Sequence, residues 1–174
     1  MACEVASYSP VKFTEISSLH DANAFFQRKD GLNIVEKIFK PIVLKHGVAH
    51  LFGVGLVHRH FDLPEGAILV EKDNMASPWK CESDSKYGGK IVPTSWLSSG
   101  GKIYPYEFSF IPHKNIIPPA LTEHSNFAVE FFTKVQELGL EKSFGLRRLP
   151  SHDFKGVLEC TEGNVNINFP FDQV

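Results

Sequence analysis

Two histidines and an aspartate occupy alternate positions near the middle of the chain: His58, His60 and Asp62. Because successive side chains of a β-strand point to opposite faces, a strand over these residues places all three on one face. Two imidazoles and one carboxylate are the ligand set of a non-haem iron(II) site, and they also suit zinc or manganese. The spacing therefore predicts a divalent-metal site (Fe, Zn or Mn) formed by these three residues.

The same residues allow two other interpretations. One imidazole acts as a general base near neutral pH and Asp62 orients it, which makes His58 and His60 candidate catalytic residues. Alternatively, both histidines are rim residues that hydrogen-bond to loops, and Asp62 begins the turn at Leu63-Pro64. The sequence leaves all three interpretations open.

The elements that must position these side chains begin with residues 50–62, which are rich in Val, Leu and Phe and predict one long strand. Turn residues at 63–66 and a second apolar run at 67–72 predict that this strand forms a hairpin with the next. In that hairpin Glu71 faces Arg59 or, one register over, His58. Glu71 is therefore a candidate ligand-binding residue.

The remaining pattern predicts two more hairpins, three helical segments and a long polar loop. The hairpins pair 91–97 with 102–111 and 155–161 with 165–169, the helices cover 19–29, 32–46 and 122–138, and the loop covers 73–90. Pro41 predicts a kink in the second helical segment, or its division into two. The predicted fold class is α+β, an antiparallel sheet of about six strands (three hairpins) with two or three packed helices in a single globular domain, 1–174.

Four aromatic residues alternate along one of these strands: Tyr104, Tyr106, Phe108 and Phe110. Such a stripe is typical of one core face of a sheet. It is also suited to form an aromatic wall for a flat organic ligand, with a tyrosine hydroxyl as a polar handle. Tyr104 and Tyr106 are therefore candidate ligand-binding residues.

Composition narrows the function classes. The 174 residues are 43% hydrophobic, and 18 Lys+Arg against 20 Asp+Glu give a net charge of −2, which argues against a nucleic-acid binder. No apolar run approaches the roughly 18 residues that span a bilayer, and the first residues do not resemble a secretory signal. Three widely spaced cysteines favour a reducing compartment, so we expect a cytoplasmic protein without a membrane or nucleic-acid partner.

The spacing of His58, His60 and Glu65, with four residues between His60 and Glu65, resembles the first metal motif of the cupins. The resemblance implies that Glu65 joins the two histidines as a metal ligand. Lys72 stands where that motif has a glycine, and the chain has no convincing second motif with its own histidine.

A longer stretch, residues 52–62 together with 68–71 and 92–96, resembles a group of small proteins from filamentous fungi that have no assigned activity. The resemblance implies a fungal source and a soluble intracellular setting. It transfers no functional residue.

Two function classes follow from these patterns. The first is a small-molecule enzyme or ligand-binding protein with His58 and His60 at the polar end of an apolar sheet pocket and residues 73–90 as a lid, with or without a metal. The second is a non-catalytic interaction module that uses the 73–90 loop and an exposed sheet edge. Reaction type and oligomeric state are not predicted.

Overall fold

The computed structural model describes residues 4–80, 88–151 and 154–171. Its strands are β1 (Phe52–Leu56), β2 (Ala67–Lys72), β3 (Met75–Lys80), β4 (Gly89–Ser99), β5 (Lys102–Pro112), β6 (Phe144–Arg148), β7 (Val157–Glu162) and β8 (Val165–Pro170). Its α-helices are α1 (Pro10–Thr14), α2 (Leu19–Arg28), α3 (Gly31–Ile34), α4 (Lys40–Lys45) and α5 (Ser125–Glu137). A π-helical segment (Val35–Phe39) joins α3 to α4, and a 3₁₀ turn (Leu121–His124) precedes α5.

The strands form one curled sheet, a half-barrel, in the order β1-β6-β4-β5-β2-β3-β8-β7. The predicted antiparallel sheet of about six strands is wrong in both size and direction, because there are eight strands and β2 runs parallel to β5. The second and third predicted hairpins are present as β4–β5 and β7–β8. The parallel pair joins strands that are distant in sequence, so no local turn could reveal it.

The first predicted hairpin is wrong. The strand over 50–62 ends at Leu56, and β1 pairs with β6 instead of β2. Gly55 lies opposite Gly145, where a Cβ on Gly145 would come within 2.4 Å of the Trp96 carbonyl oxygen, so three strands pack closely here. The chain then leaves the sheet, and the Arg59 N–H donates to the Ser17 carbonyl at 3.0 Å.

The predicted loop at 73–90 is partly a strand. Asp73 and Asn74 have φ of 52° and 64° and form a two-residue turn between β2 and β3, which suits these residue types. Pro78 is tolerated in β3 because the pairing of β3 with β8 reaches only Met75 and Ala76. Residues 81–87 of the predicted lid lie outside the described residues.

The predicted helices are present, and Pro41 interrupts the second as expected. Proline has no N–H to donate and its ring crowds the carbonyl four residues back. The π-helical segment immediately before α4 widens the helix there, and the Lys40 N–H donates to the Val35 carbonyl. No helix of the described residues is long and apolar enough to cross a membrane.

The sheet has two differently covered faces. Helices α3 to α5 cover the outer face over a core that includes Phe39, Phe52, Trp96 and Phe131. The inner face carries a second apolar cluster, which α1 completes with Phe13, and beside that cluster lies a group of polar side chains. The candidate site belongs to this polar group.

A bulge near the middle of β4–β5 divides the aromatic stripe. Ser95 pairs with Glu107 and the next residue, Trp96, pairs with Pro105, so Tyr106 is the extra residue. As a result Tyr104 and Tyr106 pack with the inner cluster, whereas Phe108 and Phe110 belong to a separate apolar cluster with Val70. A single four-residue wall, as the alternation predicts, is not formed.

Candidate metal centre

The structure brings His58 and His60 together, and the carboxylate beside them comes from β7. The two Nε2 atoms lie 3.0 Å apart, and Oε2 of Glu159 lies 3.2 Å from the first and 3.3 Å from the second. The side chains are 12%, 7% and 20% exposed, so all three are largely withdrawn from water. Three potential ligand atoms therefore form one compact triangle.

The other ring nitrogen of each imidazole, Nδ1, donates a hydrogen bond to an acceptor. Nδ1 of His58 donates to the Leu56 carbonyl oxygen at 2.8 Å. Nδ1 of His60 lies 2.9 Å from the Thr161 hydroxyl, which donates its own proton to Oδ1 of Asn166 and therefore accepts from the ring. Both neutral rings thus carry hydrogen on Nδ1 and present an Nε2 lone pair toward Glu159.

A line of hydrogen bonds continues from Thr161 across the inner face. The Asn166 amide donates to Asn168 at 3.1 Å, and the Asn168 amide donates to Glu71 at 3.0 Å. Both asparagines are 4% exposed, so their amides depend on these partners. We call this line of hydrogen bonds, from His60 through Thr161, Asn166 and Asn168 to Glu71, the relay. Every donor in the relay points toward the carboxylate of Glu71, and the relay fixes the orientation of the His60 ring.

Arg147 holds the other oxygen of Glu159. Its Nη1 lies 3.3 Å from Oε1 of Glu159, and its Nη2 lies 3.6 Å from Glu71. Burial alone would lower the pKa of Arg147, but the surrounding carboxylates Glu107, Glu71 and Glu159 raise it. The guanidinium therefore stays charged and leaves Oε2 of Glu159 directed at the imidazoles.

The pKa values of the triangle respond to the same contacts. Burial alone would raise the pKa of Glu159, but the hydrogen bonds that His58 and His60 donate when Nε2 is protonated hold it well below its ordinary value. Burial alone would lower the pKa of His58, but its bonds to Glu159 and to the Leu56 carbonyl raise it. Three converging acceptors thus attract positive charge, which either a proton or a metal ion can supply.

The size of the triangle matches a coordination sphere. Ligands about 2.05 Å from a tetrahedral zinc ion lie about 3.3 Å apart, and ligands on one face of an octahedron lie about 3.0 Å apart. The three separations span this interval, from 3.0 to 3.3 Å. In metal-bound histidines, the ring nitrogen that does not bind the metal usually donates to an acceptor of this kind.

The triangle joins the two free edges of the half-barrel. Strands β1 and β7 lie at opposite ends of the sheet order. His58 and His60 directly follow β1, Glu159 lies on β7, and Arg147 on β6 supports the contact. These edges thus meet through side chains on the inner face.

The other predicted site residues lie in different surroundings. Asp62 is 80% exposed and pairs with Arg59, so it does not join the triangle. Glu71 ends the relay, and its predicted pairing with Arg59 or His58 is wrong because β2 does not pair with β1. Glu65 is exposed.

The two candidate tyrosines lie in the inner apolar cluster, beside the polar group. Tyr106 is 5% exposed, and burial raises its pKa above the ordinary value. Tyr104 is partly buried and packs against the same cluster. Neither tyrosine is one of the three residues of the triangle.

Glu159 and Thr161 are contributing residues that sequence reasoning missed. One signal was present, because polar residues alternate with apolar or small ones along both strands of the last hairpin: Glu159 and Thr161, then Asn166 and Asn168. Alternation of this kind indicates one polar face. No signal in the sequence indicated that this face meets the two histidines about 100 residues earlier.

Comparison of the chain with protein-family models, with curated proteins and with solved structures finds no match.

Proposed function

We propose that this protein binds one divalent transition-metal ion through His58, His60 and Glu159, and that the ion fastens the two edges of the half-barrel. The convergence of three lone pairs within 3.0–3.3 Å, with both Nδ1 atoms already donating elsewhere, carries the proposal. Zinc, iron(II) and manganese all accept two imidazoles and a carboxylate.

The charged side chains of the inner face also favour the binding of a divalent metal ion. The inner face holds Glu71, Glu107 and Glu159 around one guanidinium, that of Arg147. A dication beside Glu159 offsets the two formal negative charges that remain when both imidazoles are neutral. Three protein ligands leave at least one coordination position for water or a small ligand.

Metal analysis of protein purified without a His tag tests this proposal. After chelation and repletion with zinc, iron(II) or manganese, we expect one equivalent of bound metal in wild type. The His58→Ala/His60→Ala double variant and Glu159→Gln should lose it. Cobalt substitution provides an optical readout of a site with two nitrogen ligands.

Two matched variants control for nonspecific loss. His113→Ala removes an exposed histidine, and Glu162→Gln removes an exposed carboxylate three residues beyond Glu159 on β7. Both should retain the full equivalent. Failure of wild type to retain any of the three metals overturns the proposal and leaves a protonated histidine pair on Glu159.

A further inference from the structure

A second feature of the inner face is a cavity of about 260 Å³ that adjoins the relay. Glu71 and Arg147, which belong to the body of the sheet, line it together with Asn168 of β8, whose amide donates to Glu71. The cavity therefore spans the seam between the body of the sheet and the β7–β8 hairpin, and we call it the seam pocket. Neither His58 nor His60 lines it.

The lining of the seam pocket is mixed, with apolar and polar residues in similar number. Its apolar side chains are those of Phe154, Val157, Phe171, Pro150 and Pro170. Gly156 has a φ of 116°, and a Cβ there would lie 2.7 Å from the Phe171 ring, so the ring rests directly on the glycine backbone. The ring is 55% exposed and presents an apolar surface at the mouth of the pocket.

The polar groups of the pocket have a distinct chemistry. Glu71 offers carboxylate oxygens, and Arg147 offers guanidinium N–H groups 3.6 Å away, so an acceptor and a donor of opposite charge lie side by side. Glu107 and Glu159 also face Arg147, but they do not line the pocket. Since Glu71 and Arg147 present opposite charges to the pocket, the complementary group is one that both donates and accepts hydrogen bonds. Lys155 also lines the pocket, but it is exposed and solvated.

We propose that the seam pocket binds a small neutral ring compound whose carboxamide or hydroxyl group reaches Glu71 and Arg147 while its ring packs against Phe154 and Phe171. Concave pockets that combine apolar and aromatic side chains with a few convergent polar groups are the usual form of small-molecule sites. A volume of about 260 Å³ leaves room for one substituted six-membered ring. This site goes beyond the proposed metal function and does not depend on it.

Benzamide is a suitable probe because it has a ring, a carboxamide and the right size. Titration of chelator-treated, metal-free protein, followed by amide NMR, should show saturable shifts centred on Gly156 and Phe171 with a millimolar dissociation constant. Benzoate and benzylammonium, of nearly the same shape but charged, should bind more weakly. Tighter binding of either charged compound overturns the assignment of a neutral ligand.

Two substitutions locate the site. Phe171→Ala should weaken benzamide binding about tenfold because it removes one face of the ring contact. Phe169→Ala is the matched control, since Phe169 is also exposed but does not line the pocket. Phe154→Ala provides an independent second variant on the opposite wall.

Equal affinities of the Phe171→Ala and Phe169→Ala variants, or shifts centred elsewhere, overturn the proposal. Because the titration uses metal-free protein, failure of the metal proposal and failure of this one give different results.

Discussion

At the scale of single residues, the protonation pattern of the imidazoles determines what the triangle can bind. His60 carries its hydrogen on Nδ1 because Thr161 accepts it, and Thr161 is able to accept because Asn166 takes the hydroxyl proton. Asn166 and Asn168 continue the same donor-to-acceptor direction as far as the carboxylate of Glu71. Residues outside the triangle thus set the direction of one imidazole lone pair.

Thr161→Val tests this role. Valine removes the acceptor for Nδ1 of His60, so we expect zinc affinity to fall by about 10- to 100-fold. Imidazole ¹⁵N NMR of the metal-free protein should show that the Nδ1–H tautomer of His60 is lost. Thr161→Ser keeps the hydroxyl and should restore both values. An unchanged tautomer in the valine variant contradicts the relay.

At the scale of elements, the β7–β8 hairpin is attached to the sheet on two sides by different means. On one side, β3 and β8 pair over only Met75↔Ile167 and Ala76↔Asn166, with one further backbone bond from Asn168 to Asn74. On the other side, Glu159 contacts the two histidines and Arg147. Short backbone pairing makes the side-chain contact important for docking of the hairpin.

Metal binding should therefore slow amide hydrogen exchange selectively in this hairpin. With zinc at 100 times its dissociation constant, binding stabilises the docked state by about 2.7 kcal/mol, which corresponds to about 100-fold slower amide exchange where opening breaks the site. We expect this slowing in β7 and β8 and little change in the central β4–β5 pair. Hydrogen exchange with mass spectrometry measures it, and the His58→Ala/His60→Ala variant should show no zinc effect. Equal slowing in every strand contradicts a metal site that stabilises the docking of this hairpin alone.

At the scale of the whole molecule, the contribution of His58 to stability and the binding of metal respond to pH in opposite ways. The raised pKa of His58 means that its contribution in metal-free protein is complete below its ordinary value of about 6.5 and is lost as pH rises through the folded-state pKa. The lowered pKa of Glu159 means that its contribution is present above its ordinary value and is lost as pH falls through the folded-state pKa. Zinc requires an unprotonated His58, so binding strengthens as pH rises.

The difference in unfolding free energy between zinc-loaded and metal-free protein should therefore increase from about pH 5.5 to about pH 8. Chemical denaturation of both forms across this range measures the difference. The His58→Ala/His60→Ala variant should show no difference at either pH. A zinc stabilisation that does not change with pH contradicts the involvement of His58.

The sequence by itself determined the local features of this protein. Helical spacing located α2 and α5, and turn residues located the last two hairpins. His58 and His60 lie together as expected, but strand parity is not the reason, because β1 ends at Leu56. The helices and hairpins depend on residues close in sequence, whose geometry follows from backbone periodicity.

Only the tertiary structure decided the partners of these elements. Strand β1 pairs with a strand about 90 residues later, and the third ligand atom belongs to Glu159 although Asp62 lies much closer in sequence. Strand parity shows which face a side chain takes, but the curl of the sheet determines which distant strand that face meets. The triangle therefore exists because the sheet bends far enough to bring its two edges together.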